Sequence, residues 1–240
     1  MTTRTVLVIN SGSSSIKYQL IDPDSGESLA SGIVERIGDT TGSITHKRAD
    51  EKTEITEPVP DHGFGLAEVL RLFDEQGPSL AEANIVAVGH RVVQGGRYFS
   101  GPALIDDEVV ATIEELVPLG PLHNPAHLKG IEVGRELLAD VPHVAVFDTA
   151  FFQDLPEEAA RYGLNRKAAD TYSIRRYGAH GTSHHFVSGE ISKRLGRDDL
   201  KQIVLHLGNG ASVSAVVNGR AVETSMGLTP LEGLVMGGRT

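Results

Sequence analysis

The 240-residue chain contains no cysteine and no tryptophan. Without cysteine, a disulfide framework, a thiolate zinc site and a cysteine nucleophile are all excluded, and the composition suits a reducing cytoplasm. Long apolar runs are missing too. The N-terminal stretch Val6–Ile9 is far too short for a signal peptide or a membrane span, so neither a membrane partner nor export is expected. An excess of positive charge is also lacking. The formal net charge of −10 argues against a nucleic-acid or anionic-membrane surface. It leaves a phosphate ligand open, because that needs only a local cluster of positive groups. Two phosphate-binding templates are absent as well: no G-x-x-x-x-G-K-[ST] run occurs, and no G-x-G-x-x-G opens a helix.

What is present is a globular composition, 40% hydrophobic and 22% charged, in a chain long enough for one large domain or about two ordinary ones. One pattern occurs twice. Thr5–Ile9 runs into Asn10–Ser15 and returns through Ile16–Ile21; Ile203–Leu207 runs into Gly208-Asn209-Gly210 and returns through Ala211–Val217. Each reads as an apolar strand, a tight turn and an alternating return strand. Glycine lets the backbone approach a ligand, with unpaired amides and small hydroxyls expected to point outward. One such turn is a hairpin; an early and a late copy suggest a duplicated unit that grips a polyphosphate.

Between them, apolar spacing predicts a helix over Phe64–Gln76 stopped by Gly77-Pro78, and a buried strand Ile85–Val88 delivering His90 and Arg91 to its end. Asp106 or Asp107 is expected to cap a helix through Leu116. Asn124-Pro125 should open another helix to about Ala139, with Asn124 as its cap. Val144–Phe147 reads as a buried strand ending at Asp148, and a helix is expected from about Ser183 to Leu195. The stretch Asp39–Asp61 is polar and should hold a further strand or two. The alternation predicts an α/β fold with mostly covered sheets. We place the boundary near residue 149: a first domain over 1–149 and a second over 150–240 that has its hairpin but few elements to cover it.

The motifs then become specific. Val6–Lys17, Val88–Val93 with Gly95-Gly96, Pro121–Pro125, Phe147–Phe151, Tyr177–His184, His206–Gly210 and Glu223–Leu234 follow one another along the chain. In that order they resemble the signatures of the acetate kinase family, within the actin, sugar-kinase and heat-shock-chaperone superfamily. The resemblance implies a two-domain ribonuclease-H-like (actin-like ATPase) fold with mixed sheets flanked by helices. It implies reversible transfer of the ATP γ-phosphoryl group to acetate, with Mg²⁺ (or Mn²⁺), in a cytoplasmic homodimer. It assigns catalysis to Asp148, His180 and Arg239, acid binding to Arg91, Val92, Leu122 and Pro230, and nucleotide phosphate binding to Ser13, Lys17, His206, Leu207, Gly208, Asn209 and Gly210. Asn10 becomes a metal ligand. The resemblance also implies that relatives continue past Thr240 with adenosine-binding loops, a second metal-binding glutamate and most of the dimer interface. The second domain is therefore expected to be incomplete, and the 240 residues alone inert.

The residues themselves support these roles unequally. A neutral carbonyl on Asn10 suits Mg²⁺ directly or through water, but also suits an ordinary turn. Lys17 is either a phosphate contact or an exposed strand lysine. Arg91 fits a carboxylate or acyl phosphate by two-point contact, or a structural ion pair. Arg239 lies in the glycine-flanked run after Gly237-Gly238, where it could offset charge on a transferring phosphoryl group. His180 precedes Gly181-Thr182-Ser183, which is expected to cap the next helix and present the ring to an anion. Asp148 stands at a strand end, a common place for catalytic groups, yet a carboxylic acid acceptor is already ionised at neutral pH and needs no general base. Holding metal or fixing Arg91 are the alternatives. Three positions depart from the family pattern: Gln94 where histidine is usual, Ala179 where an aromatic lines the acid pocket, and Gly238 where threonine is usual. Ala179 raises a propionate or butyrate kinase as the alternative enzyme; a non-catalytic phosphate-binding fragment is the alternative outside that class.

Overall fold

Strand β1 (Thr5–Ser11) buries every second residue, Thr5, Leu7, Ile9 and Ser11, and its neighbour β2 (Ser15–Ile21) buries Ile16, Tyr18 and Leu20. That two-residue period gives one face to a core and the other to polar side chains. The computed structural model describes residues 4–238. It continues with β3 (Ser28–Glu35), β4 (Gly42–Arg48), β5 (Glu51–Glu57), β6 (Ile85–Val92), β7 (Ala103–Leu104) and β8 (His143–Phe147). These form one mixed sheet in the order β5-β4-β3-β2-β1-β6-β8-β7, antiparallel from β1 to β5 and parallel between β1 and β6. The polar stretch 39–61 thus supplies the two expected strands.

Helices α1 (His62–Gln76), α2 (Asp107–Glu115) and α3 (Asn124–Leu137) accompany this sheet. Asp61 caps α1 by accepting from the Phe64 amide, and Gly77 ends it at φ 74°. Leu66, Val69, Leu72 and Phe73 of α1 pack with Val133 of α3 on the Leu7, Ile9 and Tyr18 side of the sheet. Helix α3 reaches the sheet through two glycines one turn apart. A Cβ at Gly130 would lie 2.1 Å from Ser11 Oγ, and one at Gly134 would lie 2.9 Å from His90 Cε1. Only a bare backbone fits there.

Two expectations about these elements need correction. His90 and Arg91 do not stand at the end of a buried strand Ile85–Val88: both lie within β6, which runs on to Val92, and Val86 is 38% exposed while His90 is 3% exposed. The alternation of a sheet strand continues straight through His90 and Arg91, which therefore point to opposite faces. Asn124 is the first residue of α3 rather than its cap; His123 holds that position without a side-chain hydrogen bond. Asp106 does act as expected, accepting from the Val109 amide at the start of α2.

The remaining elements are α4 (Glu157–Ala160), α5 (Arg166–Thr171), α6 (Gly181–Leu195), β9 (Lys201–Leu207), β10 (Ala211–Val217) and β11 (Arg220–Thr224). Strands β9–β11 form a separate antiparallel sheet in the order β11-β10-β9. The repeated pattern is real: β1-β2 and β9-β10 are both antiparallel pairs of seven-residue strands joined by three residues. The chain groups into two compact units, one of Met1–Val92, Ala103–Glu115 and Pro121–Ala145, the other of Val93–Pro102, Leu116–Gly120 and Val146–Thr240. No helix among the described residues is long and apolar enough to cross a membrane.

Candidate active site

In the first unit, the face of the sheet opposite α1 and α3 carries the predicted polar groups. Register places Asn10 directly across from Lys17, and Ile9 beside His90, so Arg91 falls on the Asn10 side. The Arg91 guanidinium donates from Nη1 to Asn10 Oδ1 at 3.4 Å. Two cations thus flank one amide at the ends of β1, β2 and β6. Ser13 is exposed at the hairpin tip, while Val92, on the core face, is fully buried. Leu122, in the loop before α3, is 79% exposed.

One amide in each turn is satisfied within the turn rather than presented outward. Gly12 N–H donates to Ser15 O, and Gly208 N–H donates to Gly210 O. Each bond closes its own turn, so that one amide is not offered to a ligand. His62 Nε2 donates to the Gly12 carbonyl at 2.7 Å, so the first turn is also tied to α1. Gly95-Gly96 serves packing: a Cβ on Gly95 would meet the Phe147 ring at 3.0 Å, and Gly96 has φ 57° against Leu116. Gln94, buried at 4%, accepts from the Gly96 amide and closes that turn.

In the second unit, β8 delivers Asp148 to the start of α6. The Asp148 carbonyl accepts from the Gly181 amide at 2.9 Å and its Oδ1 accepts from Thr182 Oγ1 at 3.0 Å. Asp148 is 2% exposed. Cap chemistry is not as expected: His180 itself is the N-cap, in the left-handed region at φ 61°, and its side chain makes no capping bond. Gly181 is required because a Cβ there would fall 2.2 Å from Asp148 O. Freed from capping, the His180 ring stacks on His206 with centroids 4.2 Å apart, and its Nδ1 lies 2.8 Å from Ser212 Oγ.

Behind that ring is a cluster that sequence reasoning missed. Ser212 Oγ also contacts His184 Nε2 at 2.7 Å, His184 Nδ1 contacts Ser214 Oγ at 2.8 Å, and His206 Nδ1 contacts Ser183 Oγ at 3.0 Å. His184, Ser212 and Ser214 are essentially inaccessible. Burial, reinforced by the neighbouring His180 and His206, pushes the His184 pKa down to about 4, and Asp148 opposes this only weakly. The sequence signal was the alternating pair Ser212 and Ser214 in an otherwise apolar strand. Leu207, Gly208 and Asn209 are exposed, and Ala179 and Tyr177 are buried. Pro230 is exposed, and Arg239 lies outside the described residues.

The family model of the acetokinase family matches residues 5–240. The chain belongs to the acetokinase family. Curated acetate kinases of Clavibacter michiganensis and Streptomyces coelicolor are 56% and 55% identical over 98% and 100% of this chain, each match covering 60% of the relative. Among solved structures, a propionate kinase from Francisella tularensis superposes with TM-score 0.93 and Porphyromonas gingivalis acetate kinase with 0.92. Both are 43% identical to this chain, which covers 61% of each. The chain thus spans about 60% of the length of the acetokinases it matches, and it shares their α/β fold.

Asn10 offers one neutral oxygen, already accepting from Arg91, with Lys17 opposite it. Among the described residues no three His, Asp or Glu side chains gather to hold an ion. Mg²⁺ favours carboxylates, waters and substrate phosphates, and two cations on this face repel it. The described residues alone do not form a metal site.

Proposed function

We propose that the protein is part of an acetate kinase, transferring the γ-phosphoryl group of ATP reversibly and in line to acetate, giving acetyl phosphate and ADP. The observation that carries this reading is the placement of Arg91 and Lys17 on one face around Asn10. A guanidinium fork matches a carboxylate or acyl phosphate in two-point contact, and an ammonium on the neighbouring strand suits a phosphate as a point charge. We assign Arg91 to the acid and its phosphorylated product, with Leu122 and Pro230 as acid contacts and Val92, buried on the core face, supporting Arg91 from behind, and Lys17 with Ser13 to the nucleotide phosphates. His206, Leu207, Gly208, Asn209 and Gly210 contribute the second phosphate contact.

Transfer of this kind is catalysed by alignment and by neutralising charge on the equatorial oxygens. His180 and Arg239 take that role. A carboxylate acceptor is ionised at neutral pH, so no base is required. Asp148, which binds Thr182 and the Gly181 amide, instead holds the start of α6 and with it His180. Mg²⁺ or Mn²⁺ is read as arriving with ATP, with Asn10 as at most a water-mediated ligand. We read residues 1–149 as the N-terminal domain and 150–240 as the first part of the nucleotide-binding domain, in a cytoplasmic homodimer. Propionate or butyrate is the second reading, favoured by the small side chain of Ala179.

The test is a hydroxamate assay for acyl phosphate with ATP, Mg²⁺ and acetate, propionate or butyrate, on the gene product that contains this chain. Acetyl hydroxamate in the largest yield is expected. A larger propionyl or butyryl yield would select the second reading, and no acyl phosphate from any of the three acids would sink both.

A further inference from the structure

Ser214, His184, Ser212 and His180 form one hydrogen-bonded line within the second unit: Ser214 Oγ to His184 Nδ1 at 2.8 Å, His184 Nε2 to Ser212 Oγ at 2.7 Å, and Ser212 Oγ to His180 Nδ1 at 2.8 Å. A neutral imidazole donates from one nitrogen and accepts at the other, and each serine hydroxyl has one proton to give. Three arrangements therefore keep all three hydrogen bonds of the line. In one, the protons run from Ser214 toward His180, so that Ser212 donates to His180 Nδ1 and the His180 proton sits on Nε2. In the second, every bond is reversed, and His180 carries its proton on Nδ1, leaving Nε2 an acceptor. In the third, Ser214 donates to His184 while Ser212 accepts from both rings, which again places the His180 proton on Nδ1.

Ser214 breaks the tie. It is 1% exposed, and His184 is the one partner of its hydroxyl among the described residues. In the reversed arrangement Ser214 Oγ accepts from His184, and its own buried proton has no acceptor; in the third the same holds for Ser212, fully buried with the two rings as its hydroxyl partners among the described residues. A buried donor left without a partner disfavours a state by about tenfold to a hundredfold. In the forward arrangement both serine hydroxyls and the His184 ring donate, and no proton is orphaned between Ser214 and His180.

We propose that Ser214, acting through His184 and Ser212, fixes His180 as the Nε2-protonated tautomer, so that the ring meets an anion as a donor. The inference rests on the reading of His180 as the group that faces the transferring phosphoryl oxygens. Ser214, His184 and Ser212 are positioning residues: they touch no substrate and set which nitrogen of His180 holds the proton. The line requires His184 to be neutral. Its low pKa keeps it so at neutral pH, and the relay persists unchanged through that range.

Long-range ¹H–¹⁵N correlation spectra of the ¹⁵N-histidine-labelled protein read the tautomer directly, with His180 assigned by the loss of its signals in His180→Gln. The expected wild-type result is an unprotonated Nδ1 and a protonated Nε2, at a tautomer ratio of about tenfold or more. Ser214→Ala removes the deciding hydroxyl and should bring the two His180 nitrogens toward averaged shifts; Ser214→Thr, which keeps the hydroxyl, should restore the wild-type pattern. A protonated Nδ1 in the wild type overturns the proposal even if the variants do not fold. So does a folded Ser214→Ala protein with an unaltered His180 spectrum. The expected tautomer without acyl phosphate formation would support the relay and sink the functional reading, whereas acyl phosphate formation with Nδ1 protonated would do the reverse.

Discussion

At Arg91 the guanidinium is held by Asn10 on a sheet face, while the adjacent His90 turns into the core. Two neighbouring residues therefore have opposite fates for one geometric reason, the pleat of β6. If Arg91 grips the acid by two parallel hydrogen bonds, lysine cannot replace it. Arg91→Lys in the active gene product should lower kcat/KM for acetate by about 10- to 100-fold, through KM for the acid, because a charge-assisted bond is worth roughly 1.5–3 kcal/mol. KM for ATP should stay within about twofold. Equal losses toward both substrates in steady-state kinetics would show that Arg91 supports the fold rather than the acid. Lys17 offers the complementary case: Lys17→Ala should raise KM for ATP and leave KM for acetate nearly unchanged.

Glycines decide how the elements dock. Helix α3 touches the sheet at Gly130 and Gly134, and α6 begins against Asp148 at Gly181. Gly130→Ala would drive a methyl to within 2.8 Å of Ser11 Cβ, so neither chain can yield without moving backbone. We expect a loss of about 1–3 kcal/mol, the usual range for overpacking. Ser11→Gly in the same protein should recover most of it. Gly189, inside α6, meets nothing within 4 Å. Gly189→Ala should therefore stabilise the protein by about 0.5–1 kcal/mol, the helix propensity difference. Urea denaturation of both variants checks the pair; destabilisation by Gly189→Ala would mean that its side of α6 is not open. The buried histidines form a second kind of dock. His143 contacts the Leu138 carbonyl at the end of α3 and reaches His90 at 2.8 Å, tying helix to strand.

Across the whole molecule these buried rings set a pH dependence. Burial first, then the charges of His143 and His127, holds the His90 pKa down to about 3, and His184 is held down to about 4. The unfolded chain takes up these protons near pH 6.5 and the folded one does not. Below pH 6.5 the unfolded state thus binds more protons, and stability falls as pH falls, by up to about 1.4 kcal/mol per unit for each ring, until the folded pKa is reached. Urea midpoints between pH 7.5 and 5 should show this slope, and His90→Gln should make it shallower; an unchanged slope would remove His90 from the account. A different whole-molecule property follows from β9, an edge strand among the described residues, whose Ile203, Leu205 and Leu207 are 66%, 54% and 70% exposed. An apolar open edge pairs with other chains. The 240-residue chain should associate in a concentration-dependent way in light scattering, and Leu205→Lys should reduce that association.

Sequence alone determined what depends on neighbours along the chain: the two hairpins, the stops at Gly77 and after Leu195, the Asp106 cap, and the α/β alternation. Local periodicity and turn chemistry fix such features within a few residues. It also determined the family, because ordered motifs carry that information without coordinates. Tertiary structure decided what depends on residues far apart. Which face Arg91 takes followed from the register of β1 against β6, and the reason for Gly130 was a serine in the first strand of the chain. The roles of His184, Ser212 and Ser214 emerged only when α6 was laid against β10, since a histidine in a helix and two serines in a strand have no visible connection in one dimension. Hydrogen-bond satisfaction is a property of the packed interior, and packing is what the linear pattern does not encode.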